Sequence, residues 1–264
     1  MLIRDTTICL LLAARLVAGA LPDRSAEVSP QEQAAWLRWA IPLPKQIQIP
    51  RSLEVSAPVV RVLVRSDAGE VEKHAARQIE SAVRGTSTAS ANEPLFEIVV
   101  GVLDPQGKVD DVPVPDCRRL STLPNREQAY LIRPVGHDRL VLAALDEKGV
   151  CYACRTLCQL LECRRGSGKV VIPLASVTDW PDLAERGLWG CRKLAELDIP
   201  GMVAHKLNLV ESHETQLRVL VAPLSSPHRT RVLATLCAEL NATATLFPGT
   251  RLVLRYEVNE VGKQ

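Results

Sequence analysis

The chain has 264 residues, 32 of them basic and 30 acidic, for a formal net charge of +2. Near-neutrality excludes a polycationic nucleic-acid binder, because there is no excess of Lys and Arg to collect phosphates. A content of 47% hydrophobic and 23% charged residues excludes a disordered chain, and four Trp, three Tyr and two Phe leave little material for an aromatic-lined platform.

Residues 1–20 begin with a basic start (Met1 to Arg4), continue through a mostly apolar Thr6 to Val17, and end on Ala18-Gly19-Ala20. That order predicts a secretory signal peptide and a secreted or periplasmic protein. Asp5 and Arg15 interrupt the apolar run, which keeps a cytoplasmic protein with an N-terminal helix as the alternative. No other stretch approaches the roughly 20 apolar residues of a spanning helix, so no membrane span is expected.

Trp36 to Pro50, with prolines at 42, 44 and 50, reads as an extended apolar segment. The β-branched run Val59 to Val64 predicts a strand. A helix over Ala68–Val83 follows, with Asp67 as its cap and Val71, Ala75, Ile79 and Val83 on one face. Its Glu72, Lys73, His74 and Arg77 read as a solvated face. Leu95 to Leu103 is near-continuously apolar and predicts a buried strand. Residues 104–125 hold four prolines and predict a loop. Tyr130–Ile132 and Leu140–Ala144 flank Gly136-His137-Asp138 as a hairpin, Glu147–Cys163 predicts a helix, and Val170–Ile172 a short strand. The sum is an α/β domain over residues 35–178, one mixed sheet carrying two helices.

A second rhythm runs over residues 183–264. Leu188-Trp189, Leu207–Val210 and Arg251–Tyr256 predict strands, with helices at Leu194–His205 and Arg229–Asn241 between them. This β-α-β-α-β order predicts parallel strands, and three strands make only part of the eight that close a TIM barrel.

Four of the eight cysteines (Cys151, Cys154, Cys158, Cys163) fall within one predicted helix. With no second C-x-x-C or His pair nearby, they predict core packing rather than a metal site or a disulfide framework. No metal and no cofactor is expected.

Three segments carry a family resemblance. Glu127 to Ile132, Leu140 to Tyr152 and Thr156 to Leu161 resemble the domain that precedes the barrel in glycoside hydrolase family 20, the β-N-acetylhexosaminidases. Its pattern is a Y-x-L strand, an I-x-I-x-A-x-D-x-x-G-x-F-Y-G turn into a helix, and Q-T-L-x-Q-L-L. Asp179-Trp180-Pro181-Asp182 with Glu185-Arg186-Gly187 is similar to the family's D-x-P-R-F-x-x-R-G entry into barrel strand one. Met202 to Val210 is similar to M-A-x-x-K-L-N-x-L ahead of strand two. A related domain occurs in families 84 and 67, and the Lys206-Leu207-Asn208 segment favours family 20. The resemblance implies a zincin-like α/β domain, without catalytic zinc since no H-E-x-x-H is present, followed by an incomplete TIM barrel.

The resemblance further implies a retaining, substrate-assisted hydrolysis of N-acetylhexosamine-containing glycans, driven by an Asp-Glu pair after barrel strand four. Asp146-Glu147 is the only such pair in the sequence and stands in the preceding domain, so the catalytic pair is missing and the chain reads as truncated. Arg186 matches the family arginine that resembles a sugar-hydroxyl ligand, against a structural salt bridge at the domain seam. His213 aligns within the family's H-W-H-L-T-D and Glu257 stands where a third strand would end. Each is a candidate substrate ligand, against a solvated loop histidine and a charged terminus. Three readings follow: a truncated glycosidase without turnover, a fragment completed by a partner chain carrying the remaining strands, and a non-catalytic carbohydrate- or protein-binding module.

Overall fold

In a computed structural model, the described residues are 23–65, 67–83, 95–162, 169–191, 199–212 and 251–254. Strand β1 (Ala26–Glu27) leads into helix α1 (Pro30–Leu37), and β2 (Gln46–Gln48), β3 (Arg51–Ser56), β4 (Val60–Val64), α2 (Glu70–Val83) and β5 (Phe96–Val102) follow. A small hairpin of β6 (Lys108–Val109) and β7 (Val112–Pro113) and a 3-10 turn at Cys117–Thr122 organise the segment expected as loop. Next come β8 (Tyr130–Pro134), β9 (Arg139–Ala144), α3 (Glu147–Glu162), β10 (Lys169–Pro173) and β11 (Ser176–Asp179). Then β12 (Gly187–Cys191), α4 (Ile199–Ala204), β13 (Leu209–Ser212) and β14 (Arg251–Leu254) run on.

The main sheet is mixed and six-stranded, in the order β2-β11-β8-β9-β5-β4. Period-2 alternation splits its side chains cleanly. Phe96, Ile98 and Val100 of β5, Leu140 and Leu142 of β9, and Tyr130 and Ile132 of β8 join α2 and α3 in one core. Val99, Leu131, Val141 and Ala143 face the other way, where Val109, Val114 and Leu120 of the 108–120 segment cover them. The in-register pairs Ile132↔Leu142 and Ile98↔Leu140 hold these faces together.

Five expectations are corrected. The strand near residue 170 does not join the main sheet. It pairs antiparallel with β3, Ile172 opposite Leu53, in a separate β1-β3-β10 sheet. Strand β11, which enters the main sheet between β2 and β8, is only four residues ending in Asp, too short for a periodic signal. Residues 30–37 form a helix, so Trp36 and Leu37, the expected start of an extended segment, are helical. Ser29 and Glu32 form a reciprocal capping box with Pro30 at the first turn, while Trp36 is buried, so the Ser-Pro-x-Glu signature was there to be read. Helix α2 starts at Glu70 and not at Ala68. Finally, Glu72 is not solvated. At 0% exposure its carboxylate accepts from Gly69 N (2.9 Å), Val102 N (2.8 Å) and the Arg65 guanidinium (3.3 Å). It thereby ties the start of α2 to the end of β5.

On α3, Cys151 and Cys154 are buried free thiols and Cys158 is half-buried. Burial pushes the thiols of Cys151 and Cys154 above the usual range, the behaviour of packed rather than reactive cysteines. Cys163 and the expected helix at 229–241 lie outside the described residues. Strands β12, β13 and β14 form a parallel three-stranded sheet in that order, with α4 between β12 and β13. Among the described residues no helix is long and apolar enough to cross a membrane.

Candidate functional site

The polar residues of the resembling segments converge on the seam between the six-stranded sheet and the β12–α4–β13 unit. Strand β8 directs Tyr130 inward, β11 ends at Asp179, and α3 presents Thr156 one turn ahead of Gln159. The α4–β13 turn supplies Lys206 and Asn208, and Arg186 precedes β12.

Lys206 is buried, at 4% exposure. Its ammonium donates to Asp179 Oδ2 (3.0 Å) and to the Tyr130 hydroxyl (2.8 Å). Tyr130 in turn donates to Asp179 Oδ2 (2.8 Å) and, its one proton so used, accepts from Thr156 Oγ1 (2.6 Å). The second Asp179 oxygen accepts from Lys45 N (3.1 Å), so both carboxylate oxygens, the Tyr130 and Thr156 hydroxyls and the Lys206 ammonium all have partners, as a buried ion pair requires. Burial drives the Lys206 ammonium below its usual range, against the pull of Asp179. Burial, reinforced by the Asp179 charge, drives the Tyr130 phenol well above its own.

The backbone at Lys206 explains how the lysine arrives there. Its φ is +58°, Leu207 N donates to Met202 O (3.0 Å), and Lys206 N donates to Val203 O (3.0 Å). This pair of bonds is the Schellman closure of α4, with Lys206 at the left-handed position that glycine normally fills. A side chain there costs about 1 kcal/mol.

Arg186 completes a second set of contacts. Its Nη1 donates to Leu183 O (2.6 Å) and Gln128 Oε1 (3.0 Å), and its Nη2 to Lys206 O (2.9 Å). Its guanidinium lies 5.5 Å from the Tyr152 ring centre, within cation–π range. Asn208 accepts from Arg186 N (2.8 Å) and donates to Gln128 Oε1 (3.2 Å) and Ala184 O (2.9 Å). A third link is Gln159, whose Nε2 donates to Ile41 O (2.6 Å) and Ala204 O (3.1 Å). Within the β12–α4–β13 side of the seam, Gly187 lets β12 and β13 pair closely, since a Cβ there would fall 1.7 Å from Leu209 O.

Beside these contacts lies a cleft of about 180 Å³, lined by Pro42, Leu43, Tyr152, Trp180 and Pro181 together with the Lys45–Asp182 ion pair (2.7 Å) and Arg186. Of the sequence-derived candidates, Arg186 is thus a bridge whose acceptors here are uncharged oxygens. His213 and Glu257 lie outside the described residues. Gln128, Tyr130, Thr156, Gln159, Asp179, Lys206 and Asn208 were read as parts of a pattern but assigned no role. Among the described residues no group of three His, Cys, Asp or Glu is placed to hold a metal.

The model of glycosyl hydrolase family 20, domain 2, matches residues 40–180, more than half of the chain. The chain belongs to glycosyl hydrolase family 20. Its domain 2 ends one residue beyond Asp179, whose cationic partner stands at position 206. Among solved structures, a family 20 exo-β-N-acetylglucosaminidase from Vibrio harveyi in complex with N-acetylglucosamine is 20% identical, with a TM-score of 0.47. The alignment covers 74% of this chain and 28% of that one. CpGH84D (11% identical, TM-score 0.55) and CpGH84B (15%, 0.50) each align over 81% of this chain and 36% of their own. The last two likenesses show a shared fold. The family 20 chain therefore spans about a quarter to a third of the length of these structures. No curated protein matches it in sequence.

Proposed function

We propose that this chain is the N-terminal portion of a β-N-acetylhexosaminidase-type glycoside hydrolase, in which domain 2 is joined to the opening βα units of a TIM barrel. N-acetylhexosamine-containing glycans are the substrate class of the complete enzyme. The polar seam carries the reading, because residues of the family pattern on both sides of the 178–183 boundary interlock there. The parallel order β12-β13-β14 with α4 between the first two strands supports a barrel opening. Export through residues 1–20 completes the reading.

This chain alone does not turn over substrate. Its one Asp-Glu pair, Asp146-Glu147, opens α3 inside domain 2, where Asp146 accepts from Lys148 N (3.0 Å). Such a pair shapes a helix start and has no barrel face to serve. Arg186 lines the cleft but spends three of its five N–H donors on Leu183, Gln128 and Lys206, so its role as a sugar ligand rests on the remaining donors or on their redirection in the completed barrel.

The test is an assay of the purified chain on a chromogenic N-acetyl-β-glucosaminide, alone and mixed with a polypeptide supplying later barrel strands and an Asp-Glu pair. No turnover alone and turnover on mixing are expected. Turnover by the chain alone would overturn the assignment of inactivity, and no turnover or association on mixing would overturn the completion reading.

A further inference from the structure

We infer that residues 183–191 and 199–209 fold as part of the domain 2 unit, locked into it by Lys206 acting as a charged peg in a socket made by Tyr130, Thr156 and Asp179. The inference does not depend on the enzymatic reading above. It places the boundary of the cooperative unit about thirty residues beyond the end of the family domain at residue 180.

Two independent observations carry it. The first is the socket itself. With the segment in place Asp179 is 8% exposed and Tyr130 1% exposed, so removing the Lys206 ammonium from the docked segment leaves a buried carboxylate without its cation, a strongly unfavourable state. The second is the backbone. The left-handed residue closing α4 is the place for glycine, yet it is a lysine with φ +58°. A lysine that served only to end the helix would be strained there for nothing, whereas from this turn its ammonium reaches both Asp179 and Tyr130. The Gln128–Arg186–Asn208 and Gln159–Ala204 contacts close the seam on either side, so the segment is held at three points.

Native-state hydrogen exchange on the full chain tests this, comparing the wild type with Lys206→Gly and Lys206→Met. In the wild type, the amides of Lys206 to Leu209 should exchange through the same opening as those of β8 and β9. Lys206→Gly relieves the backbone strain but empties the socket, and should speed exchange at residues 206–209 by about 100-fold or more. Lys206→Met, which keeps the strain and removes the charge, should do at least as much. Two results overturn the inference: wild-type residues 206–209 exchanging some 100-fold faster than β8 and β9, or Lys206→Gly slowing exchange as a plain helix-stop glycine would. The wild-type comparison decides the matter even if both variants fail to fold.

Discussion

Replacing Gly187 by alanine probes the close β12–β13 pairing beside the seam. The added Cβ would lie 1.7 Å from Leu209 O and 2.5 Å from Leu209 C, and both atoms are backbone. Rotation of a side chain cannot relieve such a contact, so the strands must part until the gap reaches at least 3.0 Å. That movement stretches the bonds by which Asn208 N (2.8 Å) and Leu209 N (3.1 Å) donate to Arg186 O, and it drags on the Asn208 and Lys206 side chains. Two backbone bonds at about 1 kcal/mol each, with the cost of leaving buried groups unsatisfied, give about 3 kcal/mol. For a unit of this size that is ~6–12 °C in Tm. The assay is thermal unfolding followed by circular dichroism, with Gly136→Ala as control. Gly136 also has a positive φ, +69°, but meets only the end of the Asp138 side chain at 3.3 Å, so its change should cost about 1 kcal/mol. A Gly187→Ala shift no larger than that of Gly136→Ala would refute the claim that the β12–β13 pair needs this close approach.

Two further outcomes are expected. Glu72→Ala strips the acceptor from Gly69 N and Val102 N and the partner from Arg65 inside the fold, and should lower stability by about 3–5 kcal/mol. Glu72→Gln, which keeps one acceptor oxygen, should fall between, and urea denaturation orders the three proteins; an unchanged Glu72→Ala would show that the carboxylate is not needed. In an absorbance titration, the phenols of Tyr130 and Tyr152, both raised by burial, should remain protonated near pH 10, where an ordinary tyrosine is half ionised. Because the folded-state values are raised, their contribution to stability is fully present below the unfolded value of about 10 and is lost as pH rises beyond it. The lowered Lys206 value acts in the opposite direction. Three phenols ionising together in the folded protein would contradict the buried Tyr130–Asp179 bond.

Local pattern sufficed wherever an element's own residues determine its burial. The β-branched runs of β4 and β5, the hairpin of β8 and β9, and the apolar faces of α2 and α3 all follow from period and turn chemistry. The family pattern was legible too, down to Gly149, where a Cβ would fall 2.4 Å from Ala129 O. The partners of polar residues were not legible. Nothing in the run Glu70-Val71-Glu72-Lys73 says that one glutamate is wholly buried, because its acceptor role is defined by Val102 N, thirty residues away. Strand β10 could not be assigned to its sheet without knowing that Arg51–Ser56 is a strand able to receive it. The same holds at the seam. Sequence order put Asp179 before a boundary and Lys206 after it, as two charged residues twenty-seven positions apart. The fold buries both against Tyr130 at hydrogen-bond distance. A hydrophobic period repeats along the chain and can be read from it, whereas a buried charge is stable only beside a counter-charge, and which groups come together is settled by how the elements pack.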